Sequence, residues 1–126
     1  MPLVRIDLRE GKPEKYKTAV GNAVHLAMME TVNIPSQDRF QIIADHPASQ
    51  LIYDPHYLNI SRTDDVVFIQ ITLNTGRTIE VKKALYARII ALLGEDPGIR
   101  PQDVLISIID VPKENWSFGN GEAQYA

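Results

Sequence analysis

The first half of this chain recurs in its second half. Displaced by 65 positions, residues 2–45 lie on 67–110 without a gap. Ile6 falls on Ile71, Leu8 on Leu73, Gly11 on Gly76, Lys17 on Lys82, Ile34 on Ile99, Asp38 on Asp103 and Asp45 on Asp110. The apolar positions match in phase as well. A repeat of this kind means that one supersecondary unit is used twice, which constrains topology before any element is assigned.

Each half reads strand, helix, turn, strand. Val4, Ile6 and Leu8 alternate with polar residues, and Val67, Ile69, Ile71 and Leu73 alternate likewise, which is the period of a β-strand. Gly11 and Gly76 close those strands with turns. Pro13 suits the first turn of a helix, where its missing N–H is not needed. Tyr16, Ala19, Val20, Ala23, Val24 and Ala27 then follow helical spacing, as do Val81, Ala84, Leu85, Ile89 and Leu92. Matching turns at 34–38 and 99–103 lead to strands at about 39–45 and 104–111.

A strand–helix–strand unit makes a parallel pair with a right-handed crossover. Two such units predict an α/β (α+β) fold: a duplicated β-α-β with a four-stranded mixed sheet and both helices on one face. Strands 66–73 and 104–111 are apolar on both faces, so the sheet face without helices is expected to pack against other copies in a symmetric oligomer. The whole chain reads as one domain, 1–126. Repeat one runs about 2–45, a connection 46–65, repeat two about 66–110 and a tail 111–126. The connection is expected to hold a short hairpin or an edge strand, and the tail a loop with a short strand.

Composition narrows the function. Net charge is −3 with no basic tract, which argues against nucleic acid as a partner. There is no cysteine, hence no disulfide, no thiolate nucleophile and no cysteine metal site. His25, His46 and His56 are not at metal-ligand spacing. His46 reads as a loop residue, and His25 as the edge of a helix stripe. The charged first twenty residues leave no place for a signal-peptide core. No apolar run is long enough to span a membrane. A soluble cytoplasmic protein without metal or cofactor is expected.

Pro2 stands at the start of the first strand. With Met1 removed, it would carry a free secondary amine on a rigid element. The bland alternative is a proline that merely begins an edge strand.

Pro2-Leu3 with Asp7-Leu8 and Glu10-Gly11, Asp38-Arg39-Phe40-Gln41, His46-Pro47-Ala48-Ser49, Arg77, and Trp116-Ser117-Phe118-Gly119 with Gly121 together resemble the tautomerase superfamily. The similarity is to its malonate semialdehyde decarboxylase-like branch. The resemblance implies a homotrimer with three pockets. It implies an amino-terminal proline, here Pro2, that transfers a proton. It implies an aspartate at Asp38 that positions or activates water, and arginines at the start of the second helix that bind a substrate carboxylate. It also implies an apolar wall at Trp116, Phe118 and Tyr125. The branch has Arg-Pro-Arg where this chain reads Asn74-Thr75-Gly76-Arg77. Arg77 matches the second arginine. The first falls on Thr75, or on Asn74 if the gap is shifted, and both are uncharged.

An α-amino group titrates near about 7.7–8. An apolar pocket and neighbouring arginines push it towards neutral, and an aspartate holds its proton. One arginine fewer beside Asp38 therefore favours a protonated Pro2, suited to a general acid or to assisting a decarboxylation. The expected activity is cofactor-independent tautomerisation of a small keto or enol carboxylate. The alternatives are malonate semialdehyde decarboxylation, haloacrylate hydration, and a non-catalytic trimeric binding module. Each site residue also has a structural reading. Asp38 has its twin Asp103 in the same turn, which one backbone-capping role would cover. Arg77 aligns with Lys12 as a solvated first-turn cation. Trp116 and Phe118 serve equally as subunit-packing aromatics.

Overall fold

The computed structural model describes residues 2–126. Its elements follow the repeat: β1 (Leu3–Arg9), α1 (Glu14–Val32), β2 (Gln41–His46), β3 (Val67–Asn74), α2 (Ile79–Glu95) and β4 (Val104–Val111). The sheet order is β2-β1-β3-β4. Within each repeat the strands are parallel, β1 with β2 and β3 with β4. The repeats join through an antiparallel β1–β3 pair that sets Val4 opposite Ile71, Ile6 opposite Ile69 and Leu8 opposite Val67.

Those six side chains point to one face and are completely or almost completely buried under both helices. Val20, Val24, Ala27 and Met28 of α1 and Leu85, Ile89 and Leu93 of α2 close the core. The expected helix stripes are the packed ones except at Ala84, which is exposed. Gly11 and Gly76 end β1 and β3 with φ of +111° and +125°, a backbone region that disfavours side chains, so both repeats turn on the same local device. Pro13 caps α1 from outside, and the helix begins at Glu14. Among the described residues, no helix is long and apolar enough to cross a membrane.

The face without helices carries apolar side chains that are only part covered, Ile42 on β2 at 45% exposure and Leu105 and Ile109 on β4 at 43% each.

Two connecting segments differ from expectation. The 46–65 connection contains neither a hairpin nor an edge strand, only single 3-10 turns at Ala48–Gln50 and Tyr57–Asn59. Side chains take the carbonyls that a strand partner would otherwise serve. Arg62 Nη1 donates to the carbonyls of Asp54, Tyr57 and Ile60, and Arg9 donates to that of Leu51. Pro47 and Pro55 have no N–H to offer a ladder. Within the single chain the tail likewise forms no strand. Pro112 follows β4, a 3-10 turn spans Lys113–Asn115, and Gln124 braces the rest by bonding to Phe118 N and Gly119 O.

His46 is not a loop residue. It closes β2, and its Nε2 lies 2.5 Å from Asp7 Oδ1. His25 is buried on α1 but outside the apolar core cluster, in keeping with the edge of the stripe, with Nε2 2.9 Å from the Ser36 carbonyl.

Candidate active site

Pro2 is buried at the entry to β1, where the N–H of Val4 donates to the carbonyl of Phe40. That bond draws the start of β2 alongside the start of β1. Pro2, Leu3 and Phe40 then line a cavity of about 220 Å³ with Trp116, Ser117 and Phe118 of the tail. The wall is a continuous aromatic cluster. Trp116 stacks on Phe118 at 5.2 Å between centroids and 14° between planes. Tyr125 meets Phe118 edge-on at 5.0 Å, and Phe40 lies 6.3 Å from it. Aromatic pairs favour such offset and edge arrangements, which gives a loop without strands a defined shape.

Asp38 is buried beside this wall. Burial raises the Tyr125 hydroxyl above the ordinary tyrosine value, and the charge of Asp38 adds to the shift. The motif around Asp38 divides its labour. Phe40 goes to the cavity, while Arg39 and Gln41 turn to α1. Arg39 donates to Asn22 and Gln41, and Gln41 Nε2 donates to the Gly21 carbonyl.

Asp103, the repeat partner of Asp38, has a different employment. It is 1% exposed and accepts Thr63 N–H and Thr63 Oγ1–H, each at 2.7 Å. It therefore anchors the 46–65 connection, and a shared role in capping its own turn does not describe it.

Arg77 does not open α2. Thr78 is the N-cap, its Oγ1 accepting Val81 N–H at 3.2 Å, and Arg77 precedes it in the strand–helix loop. Its Nη1 donates back to the Asn74 carbonyl at 3.0 Å, and among the described residues no carboxylate lies within ion-pair distance of it. A planar guanidinium with most of its donors uncommitted is suited to grip a carboxylate bidentately. Thr75 is exposed, with its N–H tied to the Val111 carbonyl. Arg77 and Thr75 line a neighbouring cavity of about 360 Å³ with Thr31, Asn33 and Thr78, so Pro2 and Arg77 occupy adjoining cavities rather than one.

Asn74 stands between the two cavities. Its side-chain Oδ1 accepts the Trp116 Nε1–H at 2.7 Å, and its carbonyl accepts Arg77. Neither this link nor the place of Phe40 and Leu3 in the wall is evident from sequence spacing. The parallel register of β1 with β2, which pairs Val4 with Gln41, is the feature that brings Phe40 to Pro2.

A larger cavity of about 460 Å³ lies on the helix-free face among Asp7, His46, Phe68 and Leu105, and holds none of the candidate site residues. Among the described residues, no group of His, Asp and Glu is placed to hold a metal. Met1 lies outside the described residues.

Comparison with known proteins agrees with this architecture. Residues 38–119 match a family described as tautomerase enzyme, and residues 2–59 match a second family of the same description. The probable tautomerase YusQ of Bacillus subtilis (strain 168) is 42% identical over 124 residues, 98% of each chain. The crystal structure of FG41 malonate semialdehyde decarboxylase inhibited by 3-bromopropiolate superposes with a TM-score of 0.92 at 39% identity, covering 98% of this chain and 93% of that one. A fused 4-OT wild type symmetric trimer shares the fold at a TM-score of 0.80 and 22% identity, over 98% of this chain and 97% of that one. On these likenesses this chain belongs to the tautomerase superfamily of enzymes, in its malonate semialdehyde decarboxylase-like branch.

Proposed function

We propose that this enzyme interconverts the keto and enol forms of a small carboxylate without a cofactor, with Pro2 as the proton carrier. The observation that carries this reading is the placement of buried Pro2 in an aromatic cavity beside Asp38, with Arg77 next door. Once Met1 is removed, the Pro2 nitrogen is a secondary amine held at the mouth of a strand. It takes the proton from the enol oxygen and returns one to the adjacent carbon, and the carbonyl forms as the C=C bond shifts. Arg77 holds the carboxylate. Trp116, Phe118, Tyr125 and Phe40 offer the substrate an apolar wall. Asp38 positions a water or sets the charge on Pro2.

A second reading has support from the 39% identical decarboxylase structure. With one arginine near the amine instead of two, and a carboxylate close by, Pro2 stays protonated more readily. A protonated Pro2 beside a β-keto carboxylate draws electrons towards the carbonyl oxygen. Carbon dioxide then leaves, and the resulting enol is protonated at carbon. The half-exposed apolar face of the sheet fits a homotrimer, the state that the fused 4-OT relative carries.

Wild type and Pro2→Ala are to be assayed with phenylenolpyruvate and malonate semialdehyde, with intact mass to establish Met1 removal. A loss of about 100-fold or more in the variant is expected for the preferred substrate, the usual scale of a lost general acid or base. Equal rates in the two proteins eliminate the proline mechanism.

A further inference from the structure

Asp38 sits in the turn between α1 and β2, and side chains fasten that turn to one face of the helix. Buried His25 lies with Nε2 2.9 Å from the Ser36 carbonyl. A carbonyl oxygen only accepts, so Nε2 carries the hydrogen and donates. Past Asp38, Arg39 Nη2 donates to Asn22 at 2.9 Å and to Gln41 at 3.0 Å, and Gln41 Nε2 donates to the Gly21 carbonyl at 2.8 Å. Positions 21 and 22 lie four and three residues before 25, so all three share a helix face. Gly21 is inside α1, where glycine is disfavoured relative to alanine. What lies on it accounts for its place. A Cβ there would come within 2.8 Å of Gln41 Oε1 and 3.3 Å of Arg39 Nη2.

The repeat supplies an internal comparison. Gly21, Asn22 and His25 fall on Tyr86, Ala87 and Ile90, and Ser36, Arg39 and Gln41 fall on Pro101, Val104 and Ile106. Ala87, Ile90, Val104 and Ile106 have no polar side-chain group, so the second repeat cannot make these bonds. Its turn still forms at Pro101–Asp103, and β4 still pairs with β3. The β-α-β unit therefore folds without the fastening. It is present in the repeat whose aspartate lies beside the aromatic wall of the Pro2 cavity, and absent from the repeat whose aspartate anchors Thr63.

We propose that His25 is a positioning residue for the reaction, holding the turn with Arg39 so that Asp38 meets the Pro2 cavity in one place. This rests on the roles given above to Asp38 and Pro2. Within the turn, Asp38 N–H donates to the Pro35 carbonyl and Arg39 N–H to the Gln37 carbonyl, each at 3.0 Å. Those bonds shape the turn but do not tie it to the fold. The ties to α1 bracket Asp38 on both sides and do so. His25 does not line the cavity and acts through Asp38.

The test measures kcat and KM for phenylenolpyruvate and malonate semialdehyde, and follows the Pro2 nitrogen by NMR as pH is raised. His25→Leu installs an apolar side chain, as the fold already carries at Ile90, and circular dichroism checks its folding. Its kcat is expected to fall about tenfold with KM within about twofold of wild type, because Asp38 is misplaced while Arg77 is untouched. The Pro2 midpoint should fall by about half a pH unit, towards that of Asp38→Asn, since a displaced carboxylate holds the proton less. His25→Gln keeps a donor and should restore kcat to within about threefold of wild type. Added to Asp38→Asn, His25→Leu should cost less than about twofold more, because both act through one group. Arg39→Met, at an exposed position, should show the same coupling and decides the matter if His25→Leu does not fold. Full additivity with Asp38→Asn in turnover and in the Pro2 midpoint overturns the proposal, as does an Asp38→Asn that changes neither. Equal losses in His25→Gln and His25→Leu overturn it too. Asp103→Ala, which loses stability away from the site, shows what a weakened fold alone does to kcat. Pro2→Ala with wild-type turnover removes the proline mechanism, while the His25–Asp38 coupling in turnover still stands or falls by itself.

Discussion

Asp38 and Asp103 hold the same position in the two repeats, and replacing each in turn should separate folding from activity. Asp103 is 1% exposed and receives Thr63 N–H and Oγ1–H at 2.7 Å, with Arg100 3.7 Å away. Hydrogen bonds to a charged group contribute about 1.5–3 kcal/mol each. Asp103→Ala also removes a buried charge whose desolvation opposed folding. A net loss of about 3 kcal/mol remains, which for a chain of this size lowers the melting temperature by about 12 °C. Asp103→Asn keeps an oxygen for Thr63 N–H, and its amide can donate to Oγ1, so its loss should be about 1 kcal/mol. Asp38→Asn should lower turnover by about 100-fold or more and leave the melt close to wild type. Turnover of Asp103→Ala, measured well below its melt, should stay within about twofold of wild type. Melts followed by circular dichroism are compared at one protein concentration, because association shifts apparent stability. An Asp103→Ala melt indistinguishable from wild type would refute the anchoring argument. Loss of turnover equal to that of Asp38→Asn would refute the division of roles.

Two further outcomes are expected. Leu105→Arg with Ile109→Arg places charges on the half-exposed sheet face and should convert a three-chain mass to a one-chain mass in light scattering, whereas an unchanged mass excludes that face as the interface. Burial raises the Tyr16 and Tyr125 hydroxyls, with Asp38 adding to the second. Both groups hold their protons longer in the folded chain than in the unfolded one. Their contribution to stability is full below about pH 10 and declines as pH rises through the higher folded values, so melts should fall in that window. A flat profile above pH 10 removes the tyrosine-desolvation explanation.

Where local rules govern, the sequence was readable. Alternation in Val4-Ile6-Leu8 and Val67-Ile69-Ile71-Leu73, the turn glycines Gly11 and Gly76, and the helical stripes depend on neighbours within a few residues, and the 65-residue repeat carried them into a topology. The 46–65 connection was not readable, because Arg62 and Arg9 replace a strand ladder with side-chain bonds that no short pattern encodes. The difference between Asp38 and Asp103 was hidden for a related reason. The repeat equates the two aspartates, and only their long-range partners, Tyr125 for one and Thr63 for the other, tell them apart.

Sequence alone thus determined the fold, the proline at the head of the first strand, and the arginine missing beside Arg77. The tertiary structure decided what Asn74 meets. Asn74 and Trp116 are 42 residues apart, and their hydrogen bond exists only because β3 and the tail after β4 converge at one end of the sheet. The orientation of an amide depends on the partner it meets in space, and that is set by chain convergence rather than by any local pattern.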